Sequence, residues 1–397
     1  MPRSGWFRRQ QSLGTRGATA AKLTAGGAAL VLAAGISIVA FDAPGSHAAG
    51  VPSVQPSDTS SPDQAAGPFQ VVSITPTPGS HGVNGAAPIW VQFSAPLSAS
   101  STLPQISPKV AGSWTVQGDL AVFVPTGGFF EDTRVTVTVP TGVTSADGSG
   151  MLSSPVHDSF TTGSFSTIRL QQLLAQLGYL PLTWTPKSRT VISAGNAQMA
   201  AAYSPPAGTF SWQAGYPSTL KDQWKAGAAN ILDVGAVRAF ESVHGLTMDG
   251  IAGRTVWTDL LAAVAEGKRN PNGYTYALAN QNLPETLTVW HDGRVVLKSL
   301  ANTGIPGRST VDGTYPVYLR FYFTYMKGTN PNGTPYDDPV YYVSYFNGGD
   351  AVHYFPRGSY GYNQSLGCVE LPWDSAARAY PYLTYGSLVT VVGPVGA

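Results

Sequence analysis

The chain has 397 residues, with 23 Lys+Arg against 22 Asp+Glu. Arg3, Arg8, Arg9, Arg16 and Lys22 crowd the start, and Asp42 is the only acid before residue 50, so the rest is slightly acidic. That balance excludes a nucleic-acid partner, which would demand a basic surplus, while 43% apolar residues suffice to build several separate cores.

Residues 1–22 are basic, residues 23–41 are apolar and uncharged, and Ser46 and Ala48 flank His47 as small residues at a cleavage point. Residues 1–49 therefore read as a secretory signal. The run 23–41 is also long enough to remain as a membrane anchor. Both readings place the rest of the chain outside the cytoplasm, at the cell envelope. Residues 50–67 are rich in Ser, Pro, Asp and Gln and read as a flexible linker.

Residues 68–164 carry short alternating runs. Ile89, Val91 and Phe93 form one, Val135, Val137 and Val139 another, with further candidates at Val71-Val72, Leu120–Val124 and Val156–Thr161. Turn residues separate them, which predicts an Ig-like β-sandwich. His81 and His157 stand alone there and read as surface histidines.

A helical period follows. Leu170, Leu173, Leu174 and Leu177 share one face, with Gly178 as the stop. Val234, Val237 and Phe240 make a second stripe, with Asp233 as cap and Gly245 as stop. Trp257, Leu260, Leu261 and Val264 make a third, closed by Gly267. The three stripes predict a small three-helix bundle over residues 165–267. Its two ends, IRLQQLLAQLGY (168–179) and AVRAFESVHGLTMDGIAGRTVWTDL (236–260), resemble a helical peptidoglycan-binding module. The resemblance implies binding to the cell wall polymer; a purely architectural role is the other reading. The stretch 180–235 between the ends is an insertion that such modules normally lack.

Residues 268–275 form a turn-rich joint, and residues 268–397 then read as a β-rich domain. Expected strands are Leu287–Trp290, Val295–Leu300, Val317–Phe323, Val340–Tyr345 and Leu388–Val392. Tyr and Phe are dense from Tyr315 to Tyr362, which suits a polymeric or sugar-containing ligand. The single cysteine, Cys368, lies here. A lone thiol in an exported chain is a liability unless its reactivity is used. His353 precedes it by fifteen positions across a loop holding Pro356, Gly358 and Gly361, which can fold back and set imidazole beside sulfur. The imidazolium would then hold the sulfur as thiolate, and the Gly367 and Cys368 amides could supply an oxyanion hole. With no carboxylate close in sequence, a backbone carbonyl is expected to orient the ring.

His353, fourteen intervening residues, then Ser365-Leu366-Gly367-Cys368-Val369 resembles the L,D-transpeptidase (YkuD-type) catalytic signature. TVWHDG (288–293), ANTG (301–304) and DGTY (312–315) resemble the same domain's earlier strands and turn, so the match spans about 275–394. The resemblance implies a transferase that cross-links peptidoglycan stem peptides and so shapes the cell wall. Cys368 would be the nucleophile, His353 the general base and acid, Gly367 an oxyanion-hole residue and Tyr354 the carbonyl that orients His353. Ser365 would be a structural or substrate-binding hydroxyl. Leu366 stands where many members carry a second His, and Glu370 where Arg or Asn is common. Residues 321–350 are expected to contribute a mobile cover. Two alternatives stay open: an L,D-carboxypeptidase that resolves the same thioester with water, and a non-catalytic wall-binding protein. His244, His291 and His353 sit at no ligand spacing, so no metal or cofactor is expected. The expected architecture is multidomain and mainly β.

Overall fold

The computed structural model describes residues 68–188 and 195–394. The expected signal or anchor (1–49) and linker (50–67) lie outside the described residues. Among the described residues, no helix is long and apolar enough to cross a membrane.

Alternation builds the first module from β1 (Val71–Thr75), β2 (Ile89–Phe93), β3 (Gln105–Ser107), β4 (Gly112–Gln117), β5 (Leu120–Pro125), β6 (Arg134–Val139) and β7 (Val156–Thr161). They form two sheets, β1-β2-β5-β4 and β3-β6-β7, the layers of a sandwich. Ile89, Val91, Phe93, Val135, Val137 and Val139 fill its buried interior, and Trp90 faces out. Strands β3 and β4 lie at sheet edges and are largely open to solvent, with only Ile106 and Trp114 half-buried against the core.

The second module contains α1 (Thr167–Leu177), β8 (Leu182–Pro186), α2 (Asn196–Tyr203), β9 (Gly208–Trp212), α3 (Ser218–Lys221), α4 (Ile231–His244) and α5 (Arg254–Glu266). The three expected stripes are α1, α4 and α5, and Gly178, Gly245 and Gly267 end them in the left-handed conformation. The cap of α4 is Asn230, not Asp233. Asn230 accepts from the Leu232 and Asp233 amides, and the Asp233 carboxylate returns a bond to the Asn230 N–H. The insertion adds the β8–β9 hairpin and two helices, whose Trp184 and Leu220 join the helical core.

The third module contains β10 (Thr275–Asn280), β11 (Thr286–His291), β12 (Arg294–Leu300), β13 (Gly313–Pro316), β14 (Leu319–Thr329), β15 (Pro335–Asn347), β16 (Asp350–Tyr354), β17 (Val369–Leu371), α6 (Trp373–Ala379) and β18 (Leu388–Val392). One sheet runs β12-β11-β10-β18-β13 and the other β14-β15-β16-β17. The expected strand Val317–Phe323 starts two residues late, at Leu319 of β14, with Val317 fully buried in the break after β13. Ala277, Val289, Leu297 and Val391 pack with Val352, Val369 and Leu371 in one apolar core. Tyr274, Tyr276 and Leu388 belong instead to the helical core. Gly235 of α4 and Gly386 before β18 meet so closely that a Cβ on either would run into the other's carbonyl oxygen. The joint at 268–275 thus leads into a shared interior.

Candidate active site

Strands β16 and β17 are parallel neighbours, with His353 opposite Glu370. Period two sorts their side chains. Val352, Val369 and Leu371 point into the buried core. His353, Cys368 and Glu370 point the other way and line one cavity of about 470 Å³. The loop between the strands supplies the crossover that parallel pairing requires. Imidazole and sulfur therefore line one cavity because two strands pair, where a folded-back loop was expected.

The ring of His353 is 2% exposed, and its Nδ1 lies 2.9 Å from the Tyr354 carbonyl oxygen. A carbonyl only accepts, so Nδ1 carries the proton and Nε2 keeps a free lone pair. Burial pulls the imidazole pKa below its ordinary value of 6.5. The Tyr354 bond and the Glu370 charge oppose that shift, and Arg357 reinforces it. Burial likewise pushes the Cys368 thiol up to about 12, helped by Asp350 and Glu370 and opposed by the Ala351 amide. Burial thus favours the neutral thiol and the neutral imidazole over the expected resting thiolate. Sγ touches Met326 Sδ and the Gly349 carbonyl oxygen, each at 3.9 Å.

The turn before the sulfur is tightly tied. Ser365 is fully buried, donates from Oγ to the Cys368 carbonyl at 2.6 Å and accepts from the Gly367 N–H at 3.2 Å. Its hydroxyl is engaged with the backbone on both sides, so Ser365 latches the turn. Gly367 has φ +126°, and a Cβ there would run into the Asp350 carboxylate. Only glycine fits. Because the Gly367 amide is turned to Ser365, the Cys368 amide is the one of the two with no acceptor among the described contacts. Thr310 holds the same turn, donating to the Gly367 carbonyl at 2.8 Å and accepting from Gly304 N–H at 2.9 Å.

Glu370 is 4% exposed and paired with Arg357 through two bonds of 2.8 and 2.7 Å. Arg357 also donates to the Gln364 carbonyl and lies over the Phe355 ring. Sequence reasoning passed over Arg357, yet a signal existed: it is the only Lys or Arg from residue 328 to 377, and a buried glutamate needs a cation. Over the cavity runs the β14–β15 hairpin, which presents Met326, Tyr336, Asp338 and Val340. This is the segment expected to form a cover. Among the described residues, no group of three or more metal-ligating side chains comes together.

Residues 65–162 match the bacterial Ig-like domain family, and residues 275–391 match the YkuD family, the L,D-transpeptidase catalytic domain. Comparison with curated proteins returns no match. Among solved structures, an L,D-transpeptidase from Mycobacterium smegmatis is 17% identical, covering 82% of this chain and 100% of that one at a TM-score of 0.28. L,D-transpeptidase 3 from Mycobacterium tuberculosis, carrying a faropenem-derived adduct, is 16% identical over 81% of this chain and 98% of its own, also at 0.28. The catalytic domain of the E. faecium enzyme, acylated by ertapenem, is 26% identical over 30% of this chain and 97% of its own, again at 0.28. At these scores the family matches, not the superpositions, carry the assignment. The chain therefore carries a YkuD-type L,D-transpeptidase catalytic domain over residues 275–391, joined to a bacterial Ig-like domain over residues 65–162.

Proposed function

We propose that the protein cross-links peptidoglycan stem peptides through a thioester on Cys368. The observation that carries this reading is the common face of β16 and β17, which sets Cys368 and a tautomer-fixed His353 in one open cavity. In acylation, Nε2 of His353 takes the thiol proton as sulfur attacks the carbonyl before the stem's terminal D-residue. The Cys368 amide meets the developing oxyanion. The C–N bond then breaks, and the imidazolium gives its proton to the departing amine. In the second half, an amine of a neighbouring stem attacks the thioester, and its proton passes through His353 to the leaving sulfur. Starting from a neutral pair, the proton moves together with the attack, so charge forms only when substrate is present.

Residues 1–49 support export to the cell envelope, with cleavage or anchoring as the two routes. The helical module supports contact with the wall polymer. The test is incubation of the protein with stem tetrapeptides, followed by mass spectrometry. Cross-linked dimers and a free terminal D-residue are expected. Tripeptide alone would identify the L,D-carboxypeptidase instead. Cys368→Ala is expected to abolish both turnover and covalent capture of a carbapenem while the fold survives. Continued release of the terminal D-residue by that variant would sink the mechanism.

A further inference from the structure

Two carboxylates line the catalytic cavity, and they differ in their commitments. Glu370 is locked by the two bonds from Arg357. Arg357, the one Lys or Arg on the lining, is itself held by Glu370 and the Gln364 carbonyl. Asp338 has no ion pair or side-chain hydrogen bond among the described residues, and is only partly open to solvent. Its neighbour Asp337 points to the opposite face of β15 and takes Lys327 at 2.8 Å, so the nearest lysine is already used. In register, Asp338 faces Met326 across the hairpin, and Met326 is the side chain that touches Sγ of Cys368. Cross-strand partners have Cβ atoms about 5 Å apart. A carboxylate with no direct partner, feeling only the charge of Arg357 from farther off, thus hangs from the cover, one strand spacing from the group packed on the nucleophile.

Resting on the thioester reading, we infer that Asp338 is the residue that selects an amine over water as the acceptor. An acceptor stem brings a protonated amine, and an unpaired carboxylate in a sheltered cavity draws it in by charge-assisted hydrogen bonds. The bound ammonium releases one proton to solvent. Its nitrogen forms the C–N bond at the thioester carbon, the C–S bond breaks, and the second proton reaches sulfur through His353. Water carries no charge and gains only a single weaker hydrogen bond from Asp338. Glu370 cannot serve, because its charge is already answered by Arg357.

The test is the ratio of dimer to hydrolysed tripeptide, made by the full-length protein from a tetrapeptide donor and a tripeptide bearing a free side-chain amine. That ratio is independent of how fast the thioester forms. Asp338→Asn is expected to lower it by about tenfold, and Asp338→Glu to restore most of it. An unchanged ratio in Asp338→Asn overturns the inference, as does a loss of the D-residue burst, which would place Asp338 in donor recognition. Failure of the wild-type protein to release any D-residue would instead remove the thioester reading itself.

Discussion

Burial favours a neutral Cys368–His353 pair, and that has a measurable consequence. Attack requires unprotonated Nε2, and burial holds the His353 pKa below 6.5. The acid limb of kcat/KM is therefore expected below pH 6.5, with activity lost only as the medium becomes acid enough to protonate a buried ring. A limb at or above 6.5 would mean that the ring is more solvated than its surroundings imply. Gly367 offers a second check. Gly367→Ala must accommodate both a positive φ and the Asp350 carboxylate. Strain of this kind costs on the order of 1–3 kcal/mol, so a fall of about five- to 150-fold in carbapenem acylation rate is expected, measured by mass shift. That Cys368 and His353 share a cavity, and that the Tyr354 carbonyl holds the ring, was legible from the residue types and their spacing. Thr310 was not: its hydroxyl reaches Gly367 across 57 positions, and nothing local marks it.

Among elements, the most consequential were the hardest to read. Strands β16 and β17 hold five and three residues, too short for alternation to stand out beside Pro356 and three glycines. They exist because both sides of the sheet are covered, by the apolar core below and the hairpin above. Long periodic segments such as α1 and α5 declared themselves, since a buried stripe and a terminal glycine are local signals. The start of α4 shows how boundaries go astray. Asp233 has the right chemistry for a cap, yet Asn230 takes the position and Asp233 becomes its reciprocal partner. Asn230→Ala is expected to cost about 1 kcal/mol of stability, read as a shift in urea midpoint. A smaller loss in Asp233→Ala than in Asn230→Ala would agree with Asp233 as the secondary member of the pair.

On the scale of the whole molecule, burial of acids leaves a signature in its pH response. Burial raises the pKa of Asp233 and Asp350 to about 6, and that of Glu241 to about 7. The folded chain therefore holds more protons than the unfolded one between the ordinary carboxylate range and neutrality. The associated stability is full at low pH and is lost as pH climbs through 6 to 7. Asp147, lowered to about 2 by its serine partners, acts only in a more acid window. The melting temperature is expected to fall by a few degrees from about pH 5 to about pH 8; a rise over that interval would show the three carboxyls to be hydrated. The modular order of the chain was legible from changes in period, while the shared interior of the helical and catalytic modules was not, because Tyr274, Tyr276 and Leu388 read as members of their own strands. The tight meeting of Gly235 and Gly386 extends the enzyme's genetic target well beyond its sulfur. Alleles that add bulk to either residue would enter a screen for lost cross-linking, though neither lines the catalytic cavity, and a second-site suppressor would be sought across that seam.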